Sequence, residues 1–415
     1  MRRVVVTGGS VVSALGSDWG TVFARLKIYK NCVKRMNEWD VFELMNTRLA
    51  APVDFIAPNF PRQKTRGMGR IALMALCATE EALKVAGLHD DAALAELRNG
   101  RCGVAYGSSM GSIDPILDMS KMLVEHDMST LNSSTYIKTM PQTCAANLEV
   151  FYGLTGRLIP TNTACTSGSM GIGYAYEAVK YGMQDIMIAG GAEEVSPLDS
   201  AIFDTLFATS CKNDEPEKTP AAYDVHRDGL VIGEGAGTLI LEEYGHAKKR
   251  GAHLFAEVAG FGTNTDGTHI TNPNRHTMAQ AMRLALIDAQ ANCGCSVREK
   301  IGYVNTHGTA TAVGDVAESG ATHDVFERAV PVSTLKNYIG HTLGACGAIE
   351  AWITLNMMNE GWFCPNLNLQ EIDSACAPLD YITGKGRNIE TEYVMSNNFA
   401  FGGINTSLIF KKIQA

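Results

Sequence analysis

No run of about 18 apolar residues, the length a helix needs to cross a bilayer, occurs in the 415-residue sequence, so no membrane span is expected. Basic charge is in deficit: 35 Lys and Arg against 44 Asp and Glu leave a net charge of −9. Bulk nucleic-acid binding is therefore disfavoured, although a local basic patch could still face an acidic partner. The 11 cysteines are odd in number and have no framework spacing. They read as reduced thiols in a cytoplasm, not as a disulfide scaffold. Cys293-Gly294-Cys295 is a close pair, but no second pair completes a zinc site. No low-complexity tract or flexible linker divides the chain, so one compact unit is expected. The start, Met1-Arg2-Arg3-Val4-Val5-Val6-Thr7, mimics a short signal peptide, yet its apolar run breaks at Gly8-Gly9 without a clear cleavage site. A first strand ending in a glycine turn is the better reading.

With 46% hydrophobic and 19% charged residues, the chain can build a large core. Helical apolar spacing runs from Arg66 to Val85, and further helices are expected over Gly20 to Lys30, Met110 to Glu125, Arg275 to Ala289 and Gly314 to Val325. Asp185 to Glu194 is an apolar strand ending in small residues, as in a sheet covered on both faces. The glycines of Gly229 to Gly237 do not make a phosphate loop: no strand precedes them, no Lys-Ser/Thr closes the motif, and a strand follows. The second half of the chain repeats the first. Each half has a small-residue helix with a reactive side chain at its start, which suggests an internal duplication.

The first of these helices runs from about Thr166 to Tyr181 and contains Gly168, Gly171 and Gly173. Each glycine costs about 1 kcal/mol against alanine, so close packing must compensate and the helix belongs in the core. Cys165 stands at its first turn, where free N–H groups and the helix dipole favour a thiolate. Taken alone, Cys165 could equally be a small buried hydrophobe. The second helix begins near His341. His307 and Lys336 follow strands, and Asn398-Phe399-Ala400-Phe401-Gly402-Gly403 closes the set. In α/β folds such strand ends are where sites gather.

The motifs Thr163-Ala164-Cys165-Thr166-Ser167, Asn305-Thr306-His307-Gly308-Thr309-Ala310-Thr311, Thr334-Leu335-Lys336 through His341, and Asn398 to Asn405 together resemble the β-ketoacyl-acyl-carrier-protein synthases, elongating types I and II of the condensing enzymes. The resemblance runs essentially end to end. It implies an α/β thiolase fold of two duplicated βαβαβαββ halves in five αβαβα layers, the first over 1–250 and the second over 251–415. It implies acyl transfer to Cys165 and decarboxylative Claisen condensation with a malonyl group, with acyl carrier protein as partner and no cofactor or metal. By the same resemblance His307 and His341 donate to the enolate oxygen, and the backbone N–H groups of Cys165 and Phe401 form an oxyanion hole. Lys336 is a structuring cation paired with Glu350. Asp315 and Glu318 match the acidic positions after the first histidine; a metal site from His307, Asp315 and Glu318 is not favoured. Thr309 and Thr311 would bond the pantetheine arm. Phe401 would gate the acyl pocket with Asp266 in the facing loop, Met110 and Phe203 would line the pocket, and Phe399 and Gly402 would bind substrate there.

A degradative thiolase would carry a second cysteine in the loop at 398–405, which has none, and a chain-initiating synthase would carry Asn where His341 stands. Other departures bear on substrate. Ala400 stands where the family has a glycine, which would restrict the gate. Leu206-Phe207 replaces a usual arginine, so Lys64, Arg66 and Arg70 are the candidates for carrier-protein docking. These departures keep open a specialised ketosynthase of an aryl-polyene or polyketide pathway, paired with a chain-length-factor-like subunit instead of itself. A non-catalytic interaction subunit is the remaining reading. A cytoplasmic dimer is expected.

Overall fold

The computed structural model describes residues 1–413. Eleven strands form one hydrogen-bonded sheet. In chain order they are β1 (Val4–Ser13), β2 (Cys102–Gly107), β3 (Leu158–Pro160), β4 (Ile186–Glu193), β5 (Gly235–Glu243), β6 (Ala256–Thr265), β7 (Ile301–Asn305), β8 (Pro331–Ser333), β9 (Asp380–Tyr381), β10 (Tyr393–Ala400) and β11 (Ile404–Lys411). Six helices connect and cover them: α1 (Arg70–Val85), α2 (Thr143–Tyr152), α3 (Ser167–Lys180), α4 (Arg275–Cys293), α5 (Ala312–Phe326) and α6 (Cys346–Glu360).

The strand order is β9-β8-β7-β10-β11-β6-β1-β5-β4-β2-β3. The first half contributes β1-α1-β2-α2-β3-α3-β4-β5 along the chain, ordered β3-β2-β4-β5-β1 in space. The second contributes β6-α4-β7-α5-β8-α6-β10-β11, ordered β8-β7-β10-β11-β6. The two orders are the same, so the duplication is one of topology, with β9 added at the far edge. The halves join by a short antiparallel pairing of Val5 and Val6 with Glu257 and Ala256. Helices α3 and α6 lie between the two halves of the sheet as a central layer, with α1 and α2 outside one half and α4 and α5 outside the other.

The central layer explains the glycines. A Cβ on Gly168 would stand 2.8 Å from the backbone nitrogen of Ala348, and one on Gly347 would stand 2.6 Å from that of Ser169. The two helices therefore meet backbone to backbone at their first turns. Small residues give up side-chain packing here so that both helix starts can reach one place.

Several sequence expectations are corrected. The first strand does not end at Gly8-Gly9 but runs through them to Ser13, with a register shift between Val6 and Gly8. Those glycines admit neighbours: a Cβ on Gly8 would meet the Ala82 carbonyl at 2.4 Å, and one on Gly9 would meet the Trp352 ring at 2.4 Å. Gly235 and Gly237 belong to β5 itself, not to a loop before it. The Arg66 helix starts only at Arg70, behind the extended Gly69. His341 lies outside its helix; a 3-10 turn at Leu343–Ala345 separates it from α6. The short helices Asp91–Leu97 and Pro197–Asp204 were not foreseen, although Asp90 and Ser196 cap them with side-chain oxygens as N-cap residues do.

Gly168→Ala tests the helix contact. Helix propensity alone would stabilise this variant by about 1 kcal/mol. Overpacking against Ala348 is expected instead to cost about 1–3 kcal/mol and lower the midpoint of thermal unfolding. A raised midpoint would show that the two helices are not in contact.

Candidate active site

Cys165 sits in a 3-10 turn (Ala164–Thr166) directly before α3, and Leu343–Ala345 forms the matching turn before α6. In both turns the opening residue is non-glycine with positive φ, +51° at Ala164 and +44° at Leu343. This backbone costs on the order of 1–3 kcal/mol and persists only where its surroundings enforce it. Here the crossing of α3 and α6 enforces it, and Cys165 is held with 5% of its surface exposed.

One cavity brings the reactive set together. Cys165, Phe203, Asp266, His307, Thr309, Thr311, Glu318, His341, Phe399 and Phe401 all line it. The backbone N–H groups of Phe401 and of Cys165 itself bear on the sulfur and favour its anion. The imidazoles of His307 and His341 stand edge to face, 5.1 Å between centres. Phe399 lies edge-on to His307 at 6.1 Å.

The protonation states follow from burial. The Cys165 thiol is pushed up to about 12 by burial, against the opposing pull of the Lys336 ammonium and the two N–H groups. The thiolate expected from the helix start alone is thus outweighed; the resting sulfur is a thiol. Both histidines are held well below their ordinary value, first by burial and then by Lys336. They are neutral at pH 7. The Leu343 N–H donates to His341 Nδ1 at 3.2 Å, which leaves the proton on Nε2. A neutral imidazole with a fixed Nε2–H is a hydrogen-bond donor that carries no charge of its own.

The acids build the scaffold around these groups. Lys336 Nζ lies 2.5 Å from Glu350 Oε1 in a fully buried pair. Asn398 and Asn305 donate to the other Glu350 oxygen at 2.9 and 3.3 Å. Glu318 accepts the N–H groups of His307 and Gly308, each at 2.7 Å. Asp315 accepts from Ala310 and Tyr223 at 3.1 and 2.7 Å. Glu318 and Asp315 thus both hold the 307–310 loop, and Asp315 ties it to Tyr223. Thr309 and Thr311 share a hydrogen bond at 2.9 Å on the cavity wall.

Phe401 is tilted against Phe203, centroids 5.2 Å apart, and closes one side of the cavity. Gly402 and Gly403 turn its loop with φ of +89° and +68°. Asp266 faces this loop: it accepts from Asn405 at 2.7 Å, and its backbone donates to the Gly403 carbonyl at 2.7 Å. Ala400 ends β10 outside the left-handed region, so this conformation asks for no glycine there.

Three expectations fail. Met110 does not line the cavity; its turn is bound by Glu193, to which the Met110 N–H donates at 3.3 Å. Gly402 shapes the Phe401 loop without lining the cavity. Arg70 is not free for docking, because it forms an ion pair with buried Glu234 at 2.8 Å. Glu193 was missed altogether. Fully buried, it accepts the backbone N–H groups of Ser109 at 2.7 Å and Gly344 at 3.0 Å, tying the second helix start to the first half. The signal was present: two adjacent acids at the end of an apolar strand need buried partners. The apolar wall from Leu230, Ile270 and Met278 was missed as well, since no motif marks it.

Comparison with known proteins agrees with this geometry. The family described as Beta-ketoacyl synthase, N-terminal domain, matches residues 1–247, and its C-terminal domain matches residues 255–370. The 3-oxoacyl-[acyl-carrier-protein] synthase 2 of Vibrio harveyi is 37% identical over 421 residues, covering 99% of each chain. A beta-ketoacyl synthase crystal structure from Burkholderia phymatum STM815 superposes with a TM-score of 0.97 at 55% identity, each chain covered in full. The ketosynthase of a type II polyketide complex, AntDE:AntF, solved with its acyl-carrier protein, superposes at 0.87 with 28% identity, again over all of each chain. The thiolase fold is thus shared.

A histidine-detected NMR titration tests the electrostatics. His341 is expected to remain the neutral Nε2–H tautomer from pH 8 down to its ordinary value of 6.5. A protonated ring at pH 7 would contradict the burial argument.

With both family domains matched in sequence order and a full-length relative above one third identity, the chain belongs to the beta-ketoacyl synthase family.

Proposed function

We propose that this protein condenses a Cys165-bound acyl chain with a malonyl group delivered on acyl carrier protein, in fatty-acid-type chain elongation. The observation that carries this reading is the convergence of one thiol, two neutral imidazoles and two backbone N–H donors on a single cavity. The nucleophile comes from the half over 1–250; the histidines, Lys336 and Phe401 come from the half over 251–415.

The Cys165 sulfur attacks the acyl thioester, its proton passes to the departing pantetheine thiolate, and the acyl chain is left on Cys165. Malonyl carrier protein then enters. Loss of CO2 leaves an enolate, whose oxygen takes the Nε2–H donors of His307 and His341. The carbanion attacks the acyl carbonyl. Negative charge on that oxygen is met by the N–H groups of Cys165 and Phe401. Collapse releases the 3-oxoacyl product, and the Cys165 thiolate takes up a proton. Neutral donors suit this path, because an imidazolium would protonate the carbanion it should stabilise. Thr309 and Thr311 hold the pantetheine arm at the cavity wall. Phe401 moves against Phe203 to admit the chain. The reaction so drawn needs no cofactor beyond the carrier's own phosphopantetheine, and no metal.

Acidic carrier protein would meet Lys64 and Arg66, which remain at the surface. Dimerisation is supported by the open sheet edge at β3, where Leu158 is exposed. A cytoplasmic setting fits the 11 free cysteines. Among the described residues no helix is long and apolar enough to cross a membrane.

Cys165→Ala is expected to abolish both acylation and condensation, followed by intact-protein mass spectrometry with acyl and malonyl carrier protein. His307→Ala and His341→Ala should leave acylation largely intact and slow condensation by about 10²-fold or more. Retained condensation in the cysteine variant would sink the assignment. In Lys64→Glu/Arg66→Glu, KM for the carrier-bound substrate is expected to rise several-fold while kcat holds. An unchanged KM would move the docking site elsewhere.

A further inference from the structure

A second pair of thiols lies outside the active site, at the end of α4. Cys293 is the last residue of that helix. Gly294 caps it in the left-handed conformation, φ +70°, and Cys295 follows. The glycine folds the chain back on itself, so the two sulfurs lie 3.4 Å apart. Cys295 is exposed and Cys293 half-buried. The Cys293 thiol donates to the Cys295 carbonyl at 3.2 Å. The Lys300 ammonium stands 3.5 Å from the Cys295 sulfur, with Glu392 3.9 Å from its other side. An accessible sulfur beside a cation, with a second thiol in contact, is the arrangement of an attacking and a resolving cysteine.

We propose that Cys293 and Cys295 form a redox-active thiol pair that hydrogen peroxide converts to an intramolecular disulfide. The Cys295 thiolate attacks one peroxide oxygen, the O–O bond breaks, and hydroxide leaves and is protonated to water. The resulting sulfenic acid is attacked by Cys293 sulfur. The S–S bond forms, the Cys293 proton and the sulfenic hydroxyl depart as a second water, and both thiols have together lost two electrons to the peroxide. The contrast with Cys165 is one of access: that thiol is buried, whereas Cys295 is exposed, so oxidant reaches the surface pair first. The pair therefore consumes peroxide ahead of the nucleophile.

Trypsin isolates the site in one peptide, Leu284 to Arg298, whose only cysteines are these two. The intact protein is treated with equimolar hydrogen peroxide, the remaining thiols are alkylated, and the digest is read by mass spectrometry. The expected result is a peptide about 2 Da lighter than its reduced, unalkylated form. It should appear before any oxidation of Cys165 and revert with a dithiol reductant. Cys293→Ser should leave a Cys295 sulfenic acid that a dimedone-type probe traps. Lys300→Met should slow disulfide formation about three- to tenfold. Neither variant touches the condensing site, so both should acylate at Cys165 as the parent does, which confirms that they fold. Independent sulfinic acids without the mass loss would overturn the proposal, as would oxidation of Cys165 or Cys211 ahead of this peptide.

Discussion

The backbone contact between the first turns of α3 and α6 is the constraint on which the site depends. Gly168 and Gly347 let two helix starts from different halves of the chain reach one another. Cys165 stands at one start and His341 just before the other, so the thiol and the imidazole reach one cavity only because no side chain separates the helices. Ala164 and Leu343 bear the same strained backbone on the two sides of this junction. A duplicated fold has thus placed equivalent positions face to face. At the place corresponding to Cys165 in the second helix start stands Gly344, whose N–H is held by Glu193. One copy carries a thiol at this position, and the other carries a glycine whose missing Cβ leaves room for Ser109 and Glu193.

Buried charge surrounds this junction, and the two acidic residues that line the cavity, Glu318 and Asp266, already accept hydrogen bonds from its walls. Lys336 and Glu350 neutralise one another behind the histidines, and the asparagines at the ends of β7 and β10 complete the carboxylate's hydrogen bonds. Breaking such a pair by removing one partner typically costs about 3–5 kcal/mol. The ammonium also disfavours protonation of both imidazoles. The consequence is a site made of neutral donors and an un-ionised thiol in a low-dielectric setting, where hydrogen bonds to a developing oxyanion are strongest. Glu318 shows the same economy: it binds two N–H groups of the loop that carries His307 and so holds that loop in place.

Much of the molecule was legible from the chain alone. The apolar strand over Asp185 to Glu194, the α1 and α4 helices, the costly glycines of α3, and the motifs around Cys165, His307, Lys336 and Phe401 could all be read from residue type and spacing. Gly8-Gly9 misled, because glycine signals a turn locally, whereas here it admits Ala82 and Trp352 against a continuing strand. Met110 misled because motif position says nothing of which way a turn faces. Arg70 looked like a surface cation until Glu234, far away in sequence, came within reach.

The sequence by itself determined the duplication and the side chains of the motifs that mark the family, because these rest on residue types at short spacings. Tertiary structure alone decided the state of those side chains. Burial and the Lys336 field set the thiol and imidazole protonation, and long-range partners such as Glu193 and Glu234 set which groups remain available. Electrostatics and desolvation depend on neighbours in space, and about 180 residues separate Cys165 from the nearest parts of the helix that completes its site.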